Sequence, residues 1–259
     1  MNLSLVSLAR TARAATSALI LAATVPYASA DATSVSPVMI DVQSQGRGVV
    51  ANVSVNNTGA TPLPVEITVT PLAANETGFA ATDGDTEDLL VVPPSALIPA
   101  GQTQTFRVQW IGDPDLRDSR HYYVGVNQVP VKLPEGTSAV QVVYNFQVLT
   151  SVASPSQKAD LHVRSALPEA RSDGTIAVKL RIENTGGAHG YLSQHAMRIV
   201  QTDSDGKAVF SRLISGSEFQ QLIGYGIVAS HSTRTVLLPV NLTSMDGTIS
   251  VRLTDQEAQ

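Results

Sequence analysis

Residues 176–186 read Ile-Ala-Val-Lys-Leu-Arg-Ile-Glu-Asn-Thr-Gly, and this stretch decides the fold class. Its apolar and polar side chains alternate up to residue 182, which is the period of a strand with one buried face. The Asn-Thr-Gly that follows is typical of a turn that ends a strand. The pattern predicts an all-β protein, in which only 193–200 and 215–223 could be short helices. Similar alternation recurs at residues 49–55, 105–110, 235–238 and 249–253.

Two short motifs occur twice, in the same order and at nearly equal spacing. Residues 55–59, Val-Asn-Asn-Thr-Gly, recur as Ile-Glu-Asn-Thr-Gly at 182–186, and residues 98–105 recur more loosely at 228–235. One Asn-Thr-Gly turn could arise by chance, but two ordered matches favour two copies of one β-sandwich, each of immunoglobulin-like size. The junction is expected in the Pro-containing, apolar-poor segment 151–160.

The first 30 residues have the features of a secretory signal peptide. Arg10 and Arg13 precede a run of apolar residues at 14–25, which is about half the length of a membrane span. Ala28-Ser29-Ala30 supplies the small residues that a signal peptidase accepts. We therefore expect a signal peptide at 1–30. The two mature domains are expected at 31–154 and 155–259.

Composition excludes several classes of function. The chain of 259 residues has a net charge of −5, and loss of residues 1–30 removes two of its 17 basic residues and none of its 22 acidic residues, leaving −7. An acidic protein lacks the basic patch that nucleic acids and anionic membranes require. We therefore expect no nucleic-acid partner, no binding to anionic membranes and no membrane insertion. With no cysteine, the protein has no disulfide, catalytic thiol or Cys-based metal site.

No motif supports catalysis, and no cofactor or metal is expected. The sequence lacks a Gly-x-Ser-x-Gly elbow, a phosphate-binding loop and a His-Glu-x-x-His motif. His189 and His195 could form a metal-binding pair, although turn or surface histidines are the more frequent explanation. Residues 203–206, Asp-Ser-Asp-Gly, begin like a calcium loop, but Ile214 stands where the bidentate glutamate should be. A hairpin turn explains this segment better.

Residues 140–152 form an unusually long apolar stretch, and no charged residue occurs from 139 through 157. Such a stretch is either a central core strand or an edge strand that another chain must cover, because an exposed apolar edge aggregates. The side chains that share one face of this strand are Val140, Val142, Tyr144, Phe146 and Val148.

The sequence resembles the periplasmic chaperones of the chaperone–usher pilus pathway. Residues 91–94 (Val-Val-Pro-Pro) and 98–108 are similar to the family's Pro-Pro, Pro-x-Gly, Gln and Arg stretch. Residues 116–123 and the Val-Pro at 129–130 are similar to its Arg-Glu-Ser, aromatic and Ile-Pro signature. The resemblance covers nearly the whole mature chain and is strongest over 91–155.

The resemblance implies two immunoglobulin-like domains arranged as a boomerang, located in the periplasm and without enzyme activity. It further implies that Val140, Val142, Tyr144, Phe146 and Val148 form a donor strand, which completes the sandwich of a pilus subunit before delivery to an outer-membrane usher. A free donor strand could also pair with a second copy of the chain.

The resemblance also assigns roles to residues outside the donor strand. Arg107 and Asp118, together with Asp246, match an ion pair that sets the angle between the domains, and Pro64 and Pro93 match a proline latch for the usher.

One departure concerns the basic residues with which family members bind a subunit's carboxylate. The first strand, 35–43, has no basic residue, and Thr150 stands about where a lysine is expected. Either Arg120 or Lys132 takes over, or strand pairing alone holds the subunit.

Two alternatives remain open. A secreted two-domain sandwich with an adhesive, carbohydrate-binding or structural role would have the same strand pattern. The chain could also be a pilus subunit itself, although 31–37 is short for a donor extension.

Overall fold

The computed structural model of the protein describes residues 33–130 and 142–255, and the predicted signal peptide lies outside them. Strands dominate this part of the chain, together with one α-helix, α1 (Gly216–Ile223). No helix in the described ranges is long and apolar enough to cross a membrane. The strands are β1 Thr33–Ser36, β2 Met39–Gln43, β3 Val50–Asn57, β4 Leu63–Asn75, β5 Gly78–Ala81, β6 Leu89–Val92, β7 Ser95–Ile98, β8 Thr103–Trp110, β9 Arg120–Gln128, β10 Asn145–Ala153, β11 Leu161–Ala170, β12 Ile176–Asn184, β13 Gly190–Tyr191, β14 His195–Thr202, β15 Ala208–Ile214, β16 Ile227–Val228, β17 Ser232–Leu238 and β18 Thr248–Asp255.

The N-terminal strands form a β-sandwich. One sheet has the order β1-β3-β8-β6, and the other has the order β2-β10-β9-β4-β5, with β7 paired to β4. Alternate residues of each strand face the space between the sheets, as the period of two requires. Phe106 and Val108 of β8 and Val124 and Val126 of β9 are buried in the resulting core.

The C-terminal strands form a second, smaller sandwich. Its sheets have the orders β11-β12-β17 and β15-β14-β18, and β13 pairs with β16. Leu180 and Ile182 of β12, Met197 and Ile199 of β14, and Phe219 of α1 are fully buried between them. Buried residues of the first core run from 35 to 152 and those of the second from 178 to 251, so a core lies on each side of the expected junction. The two-sandwich fold is confirmed, and the boundary at 154/155 stays a prediction.

The repeated motifs contact each other in both sandwiches. Asn57 Nδ2 donates to the carbonyl oxygens of Ile98 (3.0 Å) and Pro99 (3.2 Å). Asn184 Nδ2 donates to the equivalent carbonyls of Val228 (3.2 Å) and Ala229 (3.0 Å). Both asparagines are buried. Asn57 joins the turn after β3 to the segment before β8, and Asn184 joins the turn after β12 to the segment before β17. The two motifs therefore recur together because each pair forms one hydrogen-bonded unit of a sandwich.

The two helix candidates have different outcomes. Residues 216–223 form α1, where the Ser215 hydroxyl accepts from Glu218 N (3.1 Å) and caps the first turn. The segment around 193–200 instead becomes β14, because β15 and β18 pair with it on both sides. The predicted hairpin is present, and the Asp203 carboxylate accepts from Lys207 N (2.9 Å) within its turn.

The expected first strand, 35–43, is interrupted. β1 ends at Ser36 and pairs with β3 in one sheet, whereas β2 begins at Met39 and pairs in parallel with β10 in the other. Pro37 lies between them, where its missing N–H cannot contribute to a ladder. The chain therefore crosses between the sheets at this proline, and β2 covers only part of β10.

Candidate functional site

The candidate site is the outer edge of β10 before β2 begins to cover it. β10 pairs with β9 along its full length, from Asn145↔Asn127 to Val152↔Arg120. β2 pairs with β10 only from Leu149 onward. Within the described residues, no strand pairs with the other side of 145–148. We call these four residues the open edge.

The direction of the backbone groups follows from two hydrogen bonds. Gln128 N of β9 donates to Tyr144 O (2.9 Å), and Leu149 N donates to Val38 O (3.0 Å), which precedes β2. Neighbouring residues of a strand direct their N–H and C=O groups to opposite sides. The N–H and C=O groups of Asn145 and Gln147 therefore face the open edge, where a further strand could bind them.

Of the predicted donor residues, Phe146 and Val148 lie in β10, whereas Val142 and Tyr144 precede its first residue, Asn145, and exposure rises in that direction. Val148 is 1% exposed and belongs to the N-terminal core. Phe146 packs against that core and stacks on Tyr144, with ring centroids 6.0 Å apart. Val142 is 61% exposed. The expected donor face is thus continuous with the core of its own domain, and Val140 lies outside the described residues.

Tyr144 and Phe146 also border a narrow apolar cleft. Its other walls come from the apolar residues Leu63, Val65 and Val126 and from Thr33 and Gln128. An apolar side chain of a partner strand at the open edge would extend this surface without meeting a charged group. Val148 is enclosed within the core, so its contribution is to hold the strand rather than to enter a partner.

Three pairs of acidic and basic side chains join the two sandwiches. Each acid belongs to the first sandwich and each base to the second. The Asp118 carboxylate lies 3.1 Å from His231 Nε2, and the Glu76 carboxylate, at the tip of the β4–β5 hairpin, accepts from Arg181 (2.8 Å). Asp41 of β2 pairs with His189 Nε2 at 3.0 Å. Acidic side chains of the first sandwich thus contact basic side chains of the second.

The structure does not bring the predicted ion-pair residues together. Among the described residues, no ion pair joins any two of Arg107, Asp118 and Asp246. Asp118 contacts His231 instead, because the loop before β9 faces the loop before β17. Asp246 lies in the turn before β18, where its carbonyl accepts from Gln201 Nε2 (2.8 Å). The assignment of these three residues to one ion pair therefore needs correction.

The predicted proline latch lies along the β4–β7 ladder. Pro64 is opposite Leu97 in that ladder, and its carbonyl accepts from Val129 N (3.0 Å). Pro93 follows β6 and precedes Pro94, whose carbonyl accepts from Ile67 N (2.9 Å). Pro64 thus lies near one end of this ladder and Pro93 just beyond the other, and their role stays a prediction.

The described positions considered for a basic group that binds a subunit's carboxylate do not provide a free cation. Thr150 is fully buried, and Lys132 lies outside the described residues. Arg120 Nη1 donates to Asp88 Oδ2 (2.9 Å), and the Tyr122 hydroxyl donates to the same oxygen (2.5 Å). Burial alone would raise the pKa of Asp88, but these two hydrogen bonds hold it below its ordinary value. Arg120 is thus already paired.

A polar cluster that the sequence pattern does not indicate lies at the junction of the two sandwiches. The Tyr191 hydroxyl donates to Asp41 Oδ1 (2.5 Å), which also accepts from His189. Buried His121 is bonded to Ser151 Oγ (2.9 Å), and burial, helped by nearby His189, lowers its pKa to about 3. Within the described residues, no group of three or more histidine, aspartate or glutamate side chains could hold a metal ion. The only sequence feature that pointed to an unusual junction was the absence of basic residues from the first strand, 35–43.

The N-terminal sandwich, which contains the open edge, matches a known protein family. Residues 34–149, which contain the whole first core except its last residue, match the model of the pili and flagellar-assembly chaperone family, N-terminal domain. This segment is therefore similar to the N-terminal domain of that family. The match ends at Leu149, where β2 begins to cover β10, so the open edge lies inside the matched segment. No curated protein sequence is significantly similar to the chain.

Solved structures of fimbrial chaperones share the two-sandwich fold. The class 5 fimbriae chaperone CfaA is 14% identical, with a TM-score of 0.54, and the match covers 88% of this chain and 94% of that one. A chaperone–tip adhesin complex of CFA/I fimbriae biogenesis has a chain with the same identity and coverage and a TM-score of 0.53. The likeness therefore includes the C-terminal sandwich, beyond the region that the family model matches.

Proposed function

We propose that the protein is a periplasmic chaperone of pilus assembly, which acts by binding and without catalysis. It holds a pilus subunit through strand pairing at the open edge and delivers it to an outer-membrane usher, with Pro64 and Pro93 in the usher contact. The observation that carries this proposal is an uncharged strand edge with unpaired backbone groups, inside a segment that matches the chaperone-family model. A similar solved chain was found in complex with a tip adhesin.

The side chains that face the subunit are proposed to be Val140, Val142, Tyr144 and Phe146, with Val148 anchoring the strand. An incomplete sandwich presents an apolar groove and unpaired strand edges. Strand addition satisfies the backbone groups of both chains. Each apolar side chain that becomes fully buried contributes about 1.5–3 kcal/mol. Among the described donor residues, Val142 is the most exposed.

Co-purification tests this proposal. The tagged protein would be expressed in the periplasm with the products of its neighbouring genes, and bound proteins would be identified by mass spectrometry. We expect an equimolar complex with a small β-protein that is unstable alone. Val142→Asp should abolish the complex, because a carboxylate would enter an apolar groove.

Val209→Asp is the matched control. Val209 is also an exposed valine, at 40%, but lies on β15 of the second sandwich. This variant should retain the subunit. Equal recovery of the subunit with both variants would contradict the assignment of the open edge. Elution of the wild-type protein alone, with normal accumulation of its neighbours, would contradict the chaperone function.

A further inference from the structure

A polar cleft of about 440 Å³ lies between the two sandwiches, near the end of β10 and beside β2. Its walls come from β2, from residues 153–157 and from the segment 189–194. No lysine or arginine is among its lining residues. The polar side chains that line it are Asp41, Gln43, Ser154, Gln157, His189, Tyr191 and Gln194.

Asp41 presents a carboxylate oxygen that is not used inside the protein. Oδ1 accepts from both the Tyr191 hydroxyl and His189 Nε2, whereas Oδ2 has no hydrogen-bond partner among the described residues. The side chain is 55% exposed. Burial alone would raise the pKa of Asp41, but the hydrogen bonds from His189 and Tyr191 outweigh it and lower the pKa. The cleft therefore contains an ionised carboxylate with one free oxygen.

Three glutamine side chains line the same cleft as this carboxylate. Gln43, Gln157 and Gln194 make no side-chain hydrogen bond to another described residue. Two of them lie against glycines, where a Cβ atom would be only 2.7 Å from Gln43 Cδ at Gly48 and 2.5 Å from Gln157 Oε1 at Gly187. The glycines thus leave room for the glutamines at the cleft wall. A side-chain amide can donate or accept hydrogen bonds, so the glutamines suit either a cation or an anion. The negative charge of Asp41 favours a cationic ligand.

We propose that this cleft binds a cationic guanidinium group, the side chain of an arginine in a bound polypeptide. Asp41 Oδ2 is the counter-ion, and the glutamine amide oxygens accept the remaining N–H groups. A guanidinium presents five N–H donors in one plane, which suits a carboxylate flanked by several acceptors. The proposal goes beyond strand pairing and does not depend on it. It implies that an anionic group would be excluded from the cleft.

The test is a titration of the purified mature protein with Nα-acetylarginine amide, followed by nuclear magnetic resonance. Saturable shifts are expected for Asp41, Tyr191 and Gln194. The citrulline analogue has nearly the same shape without the charge, and it should bind about tenfold more weakly or worse. Acetate should cause no saturable shift. Equal binding of arginine and citrulline amides, or saturable binding of acetate at these residues, would overturn the proposal.

Variants locate the counter-ion. Asp41→Asn should weaken arginine amide binding about tenfold or more, while Asp246→Asn, at an exposed carboxylate outside the cleft, should have no effect. Gln194→Lys changes an exposed residue and places a cation in the cleft, so it should block binding even if Asp41→Asn perturbs the junction. Unchanged binding in both cleft variants would refute the site. Subunit capture by the open edge is measured separately with Val142→Asp, so either proposal can fail alone.

Discussion

Replacing Gln147 by proline tests the open edge at the level of a single backbone group. The Gln147 N–H faces away from β9, so proline removes no hydrogen bond of the internal ladder. Proline is tolerated in a strand whose N–H faces an unpaired edge. We therefore expect the free energy of unfolding of the isolated protein to change by less than about 1 kcal/mol.

The effect on subunit binding should be much larger. A partner strand would lose one backbone hydrogen bond, with a net value of about 1 kcal/mol, and its own carbonyl would remain unsatisfied at a cost of about 1–3 kcal/mol. A total of about 2 kcal/mol or more corresponds to an affinity at least about thirtyfold lower. The assay is competition between differently tagged wild-type and variant proteins for the subunit that co-purifies with the wild type.

Two control variants separate the backbone from the side chain. Gln147→Ala keeps the N–H and should retain subunit binding. Val148→Pro removes an N–H that faces β9, so it should destabilise the isolated protein by about 3 kcal/mol or more. Undiminished competition by Gln147→Pro would refute strand pairing at this edge. Unfolding of Gln147→Pro would show that its N–H is used within the chain.

Three further predictions concern stability. His121 stays neutral when folded, with a pKa of about 3, but takes up a proton near pH 6.5 when unfolded, so its contribution is complete above pH 6.5 and declines as the pH falls toward 3. Denaturant unfolding at pH 7 and pH 5.5 should show a loss of about 1 kcal/mol that His121→Gln removes; an unchanged slope would contradict the buried neutral state. Asp118→Asn should shift the melting temperature by less than about 3 °C, because Asp118 and His231 are both more than half exposed, and a larger drop in calorimetry would show a greater role for this pair. Asn184→Ala leaves the carbonyls that it binds without a donor and should cost about 3 kcal/mol in denaturant unfolding, whereas Asn52→Ala at an exposed strand position should cost under about 1 kcal/mol; equal losses would argue against the hydrogen-bonded unit.

Much of the candidate site could be predicted from local pattern. The alternation in 140–152 predicted a strand, and β10 occupies its 145–152 part, whereas the described residues 142–144 precede that strand. The pattern did not show that exposure rises from Val148 to Val142, since this depends on how far β2 extends along β10. Pro37 is a sequence signal for an interruption of the first strand. That the chain also changes sheet there follows only from the pairing of β1 with β3 and cannot be predicted from the local sequence.

The contacts of the junction were beyond prediction from the sequence. Asp41 and His189 are 148 residues apart, and Asp118 and His231 are 113 residues apart, so no periodic signal relates them. The resemblance assigned Arg107, Asp118 and Asp246 to one ion pair. Which side chains meet across two packed sandwiches depends on loop geometry, and here the loop before β9 carries Asp118 to His231.

The sequence by itself determined the strand-rich fold, its duplication and the uncharged character of β10. These properties follow from side-chain alternation and turn residues, which act over a few positions. Only the tertiary structure decided which edge of β10 stays open, which residues join the sandwiches and where a free carboxylate oxygen faces the cleft. Each of these depends on the relative placement of segments that are distant in the chain, and that placement is set by the packing of two whole cores.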